Sequence, residues 1–132
     1  MRKHLTLTLY LSALLAGGCA WFGGNKMGQP LPRAGQLAAT CKDQAQCEEY
    51  WHRTKRWIAE NSRRPVRDAT DWIILTEDGG TFGVALTYRI TRWPGPNNSG
   101  EIRFEAGCSY FLPCSPSPAQ ALEQFRGSLS AP

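Results

Sequence analysis

Between Trp72 and Cys108 the chain reads WIILTEDGGTFGVALTYRITRWPGPNNSGEIRFEAGC, and the architecture follows from how this segment divides. Trp72-Ile73-Ile74-Leu75-Thr76 is a short apolar run closed by Asp78-Gly79-Gly80, a hairpin signal. Val84, Leu86, Tyr88 and Ile90 then alternate with Ala85, Thr87, Arg89 and Thr91, the period of a half-buried strand. Pro94 to Gly100 is a loop by composition. Ile102, Phe104, Ala106 and Cys108 alternate with Arg103, Glu105 and Gly107, a third strand whose exposed charges are placed to meet Arg89 across the sheet.

Helical signals flank these strands. Upstream, Cys47, Tyr50, Trp51, Thr54, Trp57 and Ile58 recur at three- and four-residue spacing, one face of a helix. Asp43 with Gln46 reads as its cap, and Asn61-Ser62 ahead of Pro65 marks its end. Downstream, Ser117-Pro118-Ala119-Gln120 is a capping box with proline at the first helical position, and Leu122, Phe125 and Leu129 supply a buried side. The predicted fold is α+β: a small α-β-β-β-α domain, an antiparallel three-stranded meander with helices packed on one face. It occupies residues 41–129. Trp51, Trp57 and Trp72 are expected in the core, and Trp93, beside Pro94, at the surface.

The remainder is organised for export. Of 132 residues, 42% are hydrophobic and 20% charged, which excludes a wholly disordered chain. The one long apolar run, Leu5 to Leu15, follows Met1-Arg2-Lys3 and precedes Ala16, Gly17 and Gly18, the order of a secretory signal peptide over residues 1–18. It is too short for a stable bilayer span. Removing it takes away Arg2 and Lys3 and lowers the net charge from +4 to +2, which does not point to nucleic acid.

Leu14-Leu15-Ala16-Gly17-Gly18-Cys19 resembles the lipobox of bacterial lipoproteins. The resemblance covers about the first twenty residues and implies cleavage before Cys19, which becomes the lipidated N-terminus. Ala20 after it implies sorting to the outer membrane, facing the periplasm. Ordinary cleavage after Ala20 is the competing reading. Residues 19–40, with Gly23, Gly24, Gly28, Pro30, Pro32 and Gly35, are expected to form a flexible tether.

Acylating Cys19 leaves an even four cysteines for an oxidising compartment: Cys41, Cys47, Cys108 and Cys114. Local pairing, Cys41 with Cys47 and Cys108 with Cys114, is the first expectation, and Cys47 with Cys108 the alternative. Neither spacing suits structural zinc, and five residues rather than two separate each pair, so no metal or redox site is expected.

No catalytic residues are assigned. His52 falls on a polar helix face, and the carboxylate pairs Asp68/Asp71 and Glu101/Glu105 border strands. There is neither a nucleophile elbow nor a phosphate loop. The candidate anion- or partner-binding residues are Arg53, Lys55, Arg56, Arg63, Arg64 and Arg67, within fifteen residues that hold Glu60 as their one acid. If they bind anions, changing Arg63, Arg64 and Arg67 to glutamine should weaken that binding and spare the melting temperature.

The functional expectation is therefore a small envelope lipoprotein acting as a non-enzymatic binding or adaptor module. It is held to the membrane by lipid, needs no cofactor, and binds another envelope protein or peptidoglycan. An accessory subunit of an assembly or secretion machine, or a small enzyme acting on wall or lipid, is the alternative.

Overall fold

The structure, a computed structural model, describes residues 34–80, 83–108 and 112–132. The signal segment, Cys19 and most of the tether lie outside these residues. At the centre is the antiparallel pair β4 (Thr87–Pro94) and β5 (Gly100–Gly107), in register from Thr87 opposite Gly107 to Pro94 opposite Gly100. Period-two alternation does what the sequence implies: Tyr88, Ile90, Ile102 and Phe104 are buried, while Arg89 lies opposite Glu105 on the other face. The connecting turn is closed by Gly95 N–H donating to Ser99 O at 2.7 Å. Asn97 and Asn98 sit there at positive φ, a conformation asparagine tolerates better than most residues.

β3 (Ile73–Thr76) pairs with β4 and buries Ile74. The buried Thr76 hydroxyl accepts from Tyr88 N–H at 2.8 Å, which satisfies a polar group inside the core. Beyond it the chain departs from the expected tight hairpin. Val84 is 53% exposed, β4 begins only at Thr87, and a longer loop joins the two strands.

The α+β class stands, but the antiparallel sheet has five strands rather than three, in the order β1-β5-β4-β3-β2. The two additions are both edges. β1 (Gln36–Cys41) uses residues expected to belong to the tether and pairs with β5. A register shift between Leu37 and Ala39 leaves Ala38 and Ala39 both packed against the core, which erases the alternation that would have revealed a strand. β2 (Val66–Ala69) pairs with β3 and is exposed at every residue. Backbone bonds hold it, Glu77 N–H to Pro65 O and Thr70 N–H to Ile73 O, each at 2.9 Å, and Arg67 lies 4.0 Å from Asp78.

Helix α1 (Gln44–Asn61) begins as predicted, with Asp43 Oδ1 accepting from Gln46 N–H at 2.8 Å. Gln46 Oε1 answers by accepting from Lys42 N–H at 2.9 Å. It buries Cys47, Trp51, Thr54, Trp57 and Ile58. Helix α2 (Pro118–Ser130) opens on the complete capping box of Ser117 and Gln120 and buries Ala121, Leu122, Phe125 and Leu129. Both pack on the buried face of the sheet. Trp57 meets Phe125 at 5.2 Å between ring centroids and Tyr88 at 5.5 Å, and Phe104 stacks on Phe125 at 5.0 Å. Each such pair adds about 0.5–1.5 kcal/mol beyond the area it buries.

The cysteines form two local pairs at disulfide distance, Cys41–Cys47 with Cα atoms 5.1 Å apart and Cys108–Cys114 at 5.7 Å. The first ties the end of β1 to the opening of α1, both residues 3% exposed. Among the described residues no helix is long and apolar enough to cross a membrane.

Candidate functional site

The basic segment divides its side chains among several separate contacts. Arg53 Nη1 donates to Leu129 O at 3.3 Å and to Ala131 O, so this guanidinium caps the C-terminal carbonyls of α2. Its Nε donates to Glu49 at 2.7 Å; that bond and the arginine's charge hold the Glu49 carboxyl below its usual range. Arg64 donates to three carbonyls of the β3–β4 loop: Gly79 at 2.9 Å, Asp78 at 3.2 Å and Ala85 at 3.4 Å. Arg67 pairs with Asp68 at 3.1 Å, and Lys55 lies 4.0 Å from Asp71. Arg56 and Arg63 are exposed, with no ion pair among the described residues.

The larger feature is a groove of about 580 Å³ between α1 and the far ends of β3 and β4. Gln44, Glu48, His52 and Lys55, one to each turn of the exposed side of α1, form one wall. Cys47, Trp51 and Gly100 form the floor. The Trp51 indole N–H donates to Thr70 O at 3.1 Å, which fixes the β2–β3 turn to the helix. Gly100 is required by close approach: a Cβ there would lie 2.8 Å from Trp93 O and 3.2 and 3.3 Å from the sulfurs of Cys41 and Cys47.

Trp72, Arg92, the backbone at Trp93 and the 95–99 turn make the opposite wall. Arg92 N–H donates to Trp72 O at 2.8 Å, and the Arg92 guanidinium lies 5.7 Å from the centroid of the Trp72 ring. That is a cation–π contact, favourable by about 0.5–1 kcal/mol at an exposed site. The Trp93 indole N–H donates to Thr91 Oγ1 at 3.0 Å. Trp93 is 38% exposed, in line with its expected surface position, but Trp72 is 55% exposed and not a core residue. Parity places Trp72 on the same side as the buried Ile74, two residues nearer the strand end. Trp51 already closes the core there, so the Trp72 ring projects past it into the groove wall. A second, apolar depression is lined by Trp72, Ile73, Thr91, Arg92, Trp93 and Pro94, on the sheet face that Ile73, Thr91 and the Trp93 indole share, away from α1.

The groove balances its charges, with Glu48 and Asp71 against Lys55 and Arg92. His52, exposed as expected, is one of its lining residues. The carboxylates set aside on sequence grounds pair with cations: Asp68 is held by Arg67, Asp71 faces Lys55, and Glu101 pairs with Arg103 at 3.1 Å. Among the described residues no group of three or more His, Cys, Asp or Glu side chains is placed to hold a metal. Sequence reasoning missed the groove; the signal available was a tryptophan at the free end of each of two adjacent strands. No protein-family model, curated protein or solved structure matches this chain.

Proposed function

We propose that the protein is a small envelope lipoprotein, anchored through acylated Cys19 at the outer membrane, that acts as a non-enzymatic binding module. Its ligand site is the groove between α1 and the β3–β4 ends. The observation that carries this reading is Trp72, a tryptophan left 55% exposed in a groove wall and steadied by Arg92. A large aromatic surface kept in water at a concave site marks recognition. The groove carboxylates are each engaged by a neighbour, Glu48 by Gln44 Nε2 at 2.9 Å and Asp71 by Lys55, which favours holding a ligand over acid–base chemistry. The signal-peptide pattern and the two cysteine pairs support an exported, oxidised setting.

Binding of the detergent-solubilised mature protein to wall fragments, membrane vesicles and solubilised envelope proteins tests this reading. One fraction should be bound, and Trp72→Ala should lose it with its melting temperature little changed. Binding that ignores this substitution would remove the groove from the account. Mass spectrometry should find an acylated Cys19; an unmodified chain starting at Trp21 would replace the anchor with ordinary secretion.

A further inference from the structure

Resting on the groove as the ligand site, we propose that its ligand is an uncharged glycan chain. The lining separates the chemical classes. A strongly anionic ligand such as a lipid phosphate needs unbalanced cations, but Lys55 faces Asp71 and Arg92 lies over Trp72. An extended peptide adding to the sheet needs an unpaired strand edge. Here β3 and β4 are paired to each other and to β2 and β5, so the groove offers side chains rather than a backbone ladder.

A sugar ring suits what remains. One face of a pyranose presents C–H groups of slight positive charge, which pack against the negative face of an aromatic ring. Its hydroxyls seek neutral or balanced polar partners. Trp72 supplies the platform, with Arg92 on its ring limiting the orientations that binding would otherwise have to freeze. Gln44, His52, Asn98 and Ser99 supply hydrogen-bonding groups around it. The frame is stiff: the Cys41–Cys47 pair lies under the floor, and the 95–99 turn is closed by its own backbone bonds.

The test titrates the full-length mature protein in detergent with a tetramer of N-acetylglucosamine. A β-linked glucose tetramer of equal length and anionic phospholipid vesicles serve as comparators, followed by tryptophan fluorescence and calorimetry. At least one tetramer should bind with weak salt dependence. Trp72→Ala should weaken it about tenfold or more, and Trp72→Phe should restore part of the loss. Trp72-dependent binding of either tetramer supports the glycan. Salt-sensitive binding of the vesicles alone, or tetramer binding indifferent to Trp72→Ala, would overturn the glycan. If wall or envelope fractions bind in a Trp72-dependent way while neither tetramer does, the glycan fails and the groove survives as a site for another ligand.

Discussion

Arg64→Gln removes a guanidinium that clamps the β3–β4 loop. The guanidinium reaches three carbonyls of the β3–β4 loop, at 2.9, 3.2 and 3.4 Å. Its own backbone is pinned by Ser62, whose Oγ accepts from Arg64 N–H at 3.1 Å and donates to Arg64 O at 2.8 Å. The loop is shaped to it: a Cβ on Gly79 would approach Arg64 Nη2 to 3.0 Å, and one on Gly83 would collide with the same nitrogen. A hydrogen bond from a charged group contributes about 1.5–3 kcal/mol net, but two of these three are long and the side chain is partly exposed. The sum is therefore about 2 kcal/mol. For a domain near one hundred residues that lowers the melting temperature by roughly 8–16 °C. Calorimetric melts of the oxidised protein measure it, with Arg63→Gln as the exposed control, expected to stay within about 0.5 kcal/mol of wild type. The triple replacement of Arg63, Arg64 and Arg67, neutral for stability on sequence grounds, should lose what Arg64→Gln alone loses. A single Arg64→Gln variant melting within about 2 °C of wild type would refute the clamp.

Other perturbations follow from contacts described above. Gly100→Ala forces a methyl against Trp93 O and the Cys41 and Cys47 sulfurs, and should cost about 1–3 kcal/mol while disturbing the groove floor; an unchanged denaturation midpoint would contradict that packing. Replacing Cys41 and Cys47 with alanine opens a loop of sequence separation 6 and should lower stability by about 2 kcal/mol or more, read as a shifted urea midpoint; reductant leaving the wild-type midpoint unmoved would contradict it. Burial pushes the Tyr88 phenol up, with the Arg63 charge pulling the other way. Because the folded state keeps this proton where the unfolded chain releases it, stability should fall as pH rises beyond about 10, and Arg63→Gln should steepen the fall. Glu49 has the opposite sign: its depressed carboxyl stabilises the fold above the ordinary value of 4.5 and loses that contribution as pH drops below it, a slope that Glu49→Gln should flatten in acid melts.

What could be read from the chain was whatever is local. The caps at Asp43 and Ser117 are satisfied within four residues of themselves, so residue type and spacing specify them. β4 and β5 declare themselves because one face is buried and the other wet. An edge strand needs only backbone partners, and β2 met that need with no buried side chain at all, leaving no pattern to find. β1 was hidden for a different reason, since its register shift placed two consecutive alanines against the core and broke the period.

The same distinction between local and long-range contacts accounts for part of the excess of positive charge. Two of the six basic side chains act on backbone far along the chain: Arg53 on carbonyls at Leu129 and Ala131, Arg64 on those at Asp78, Gly79 and Ala85. A guanidinium suits this work because it carries several donors in one rigid plane and stays charged, so one side chain can satisfy a helix end or a whole loop. In a domain this small, with a single core and two exposed sheet edges, such clamps substitute for apolar contacts the loops lack. Arginine density therefore tracks irregular backbone in need of donors. The groove proposed above as the ligand site lies at the strand ends, where Trp72 is left 55% exposed by the meeting of α1 with β3 and β4 rather than by any one segment.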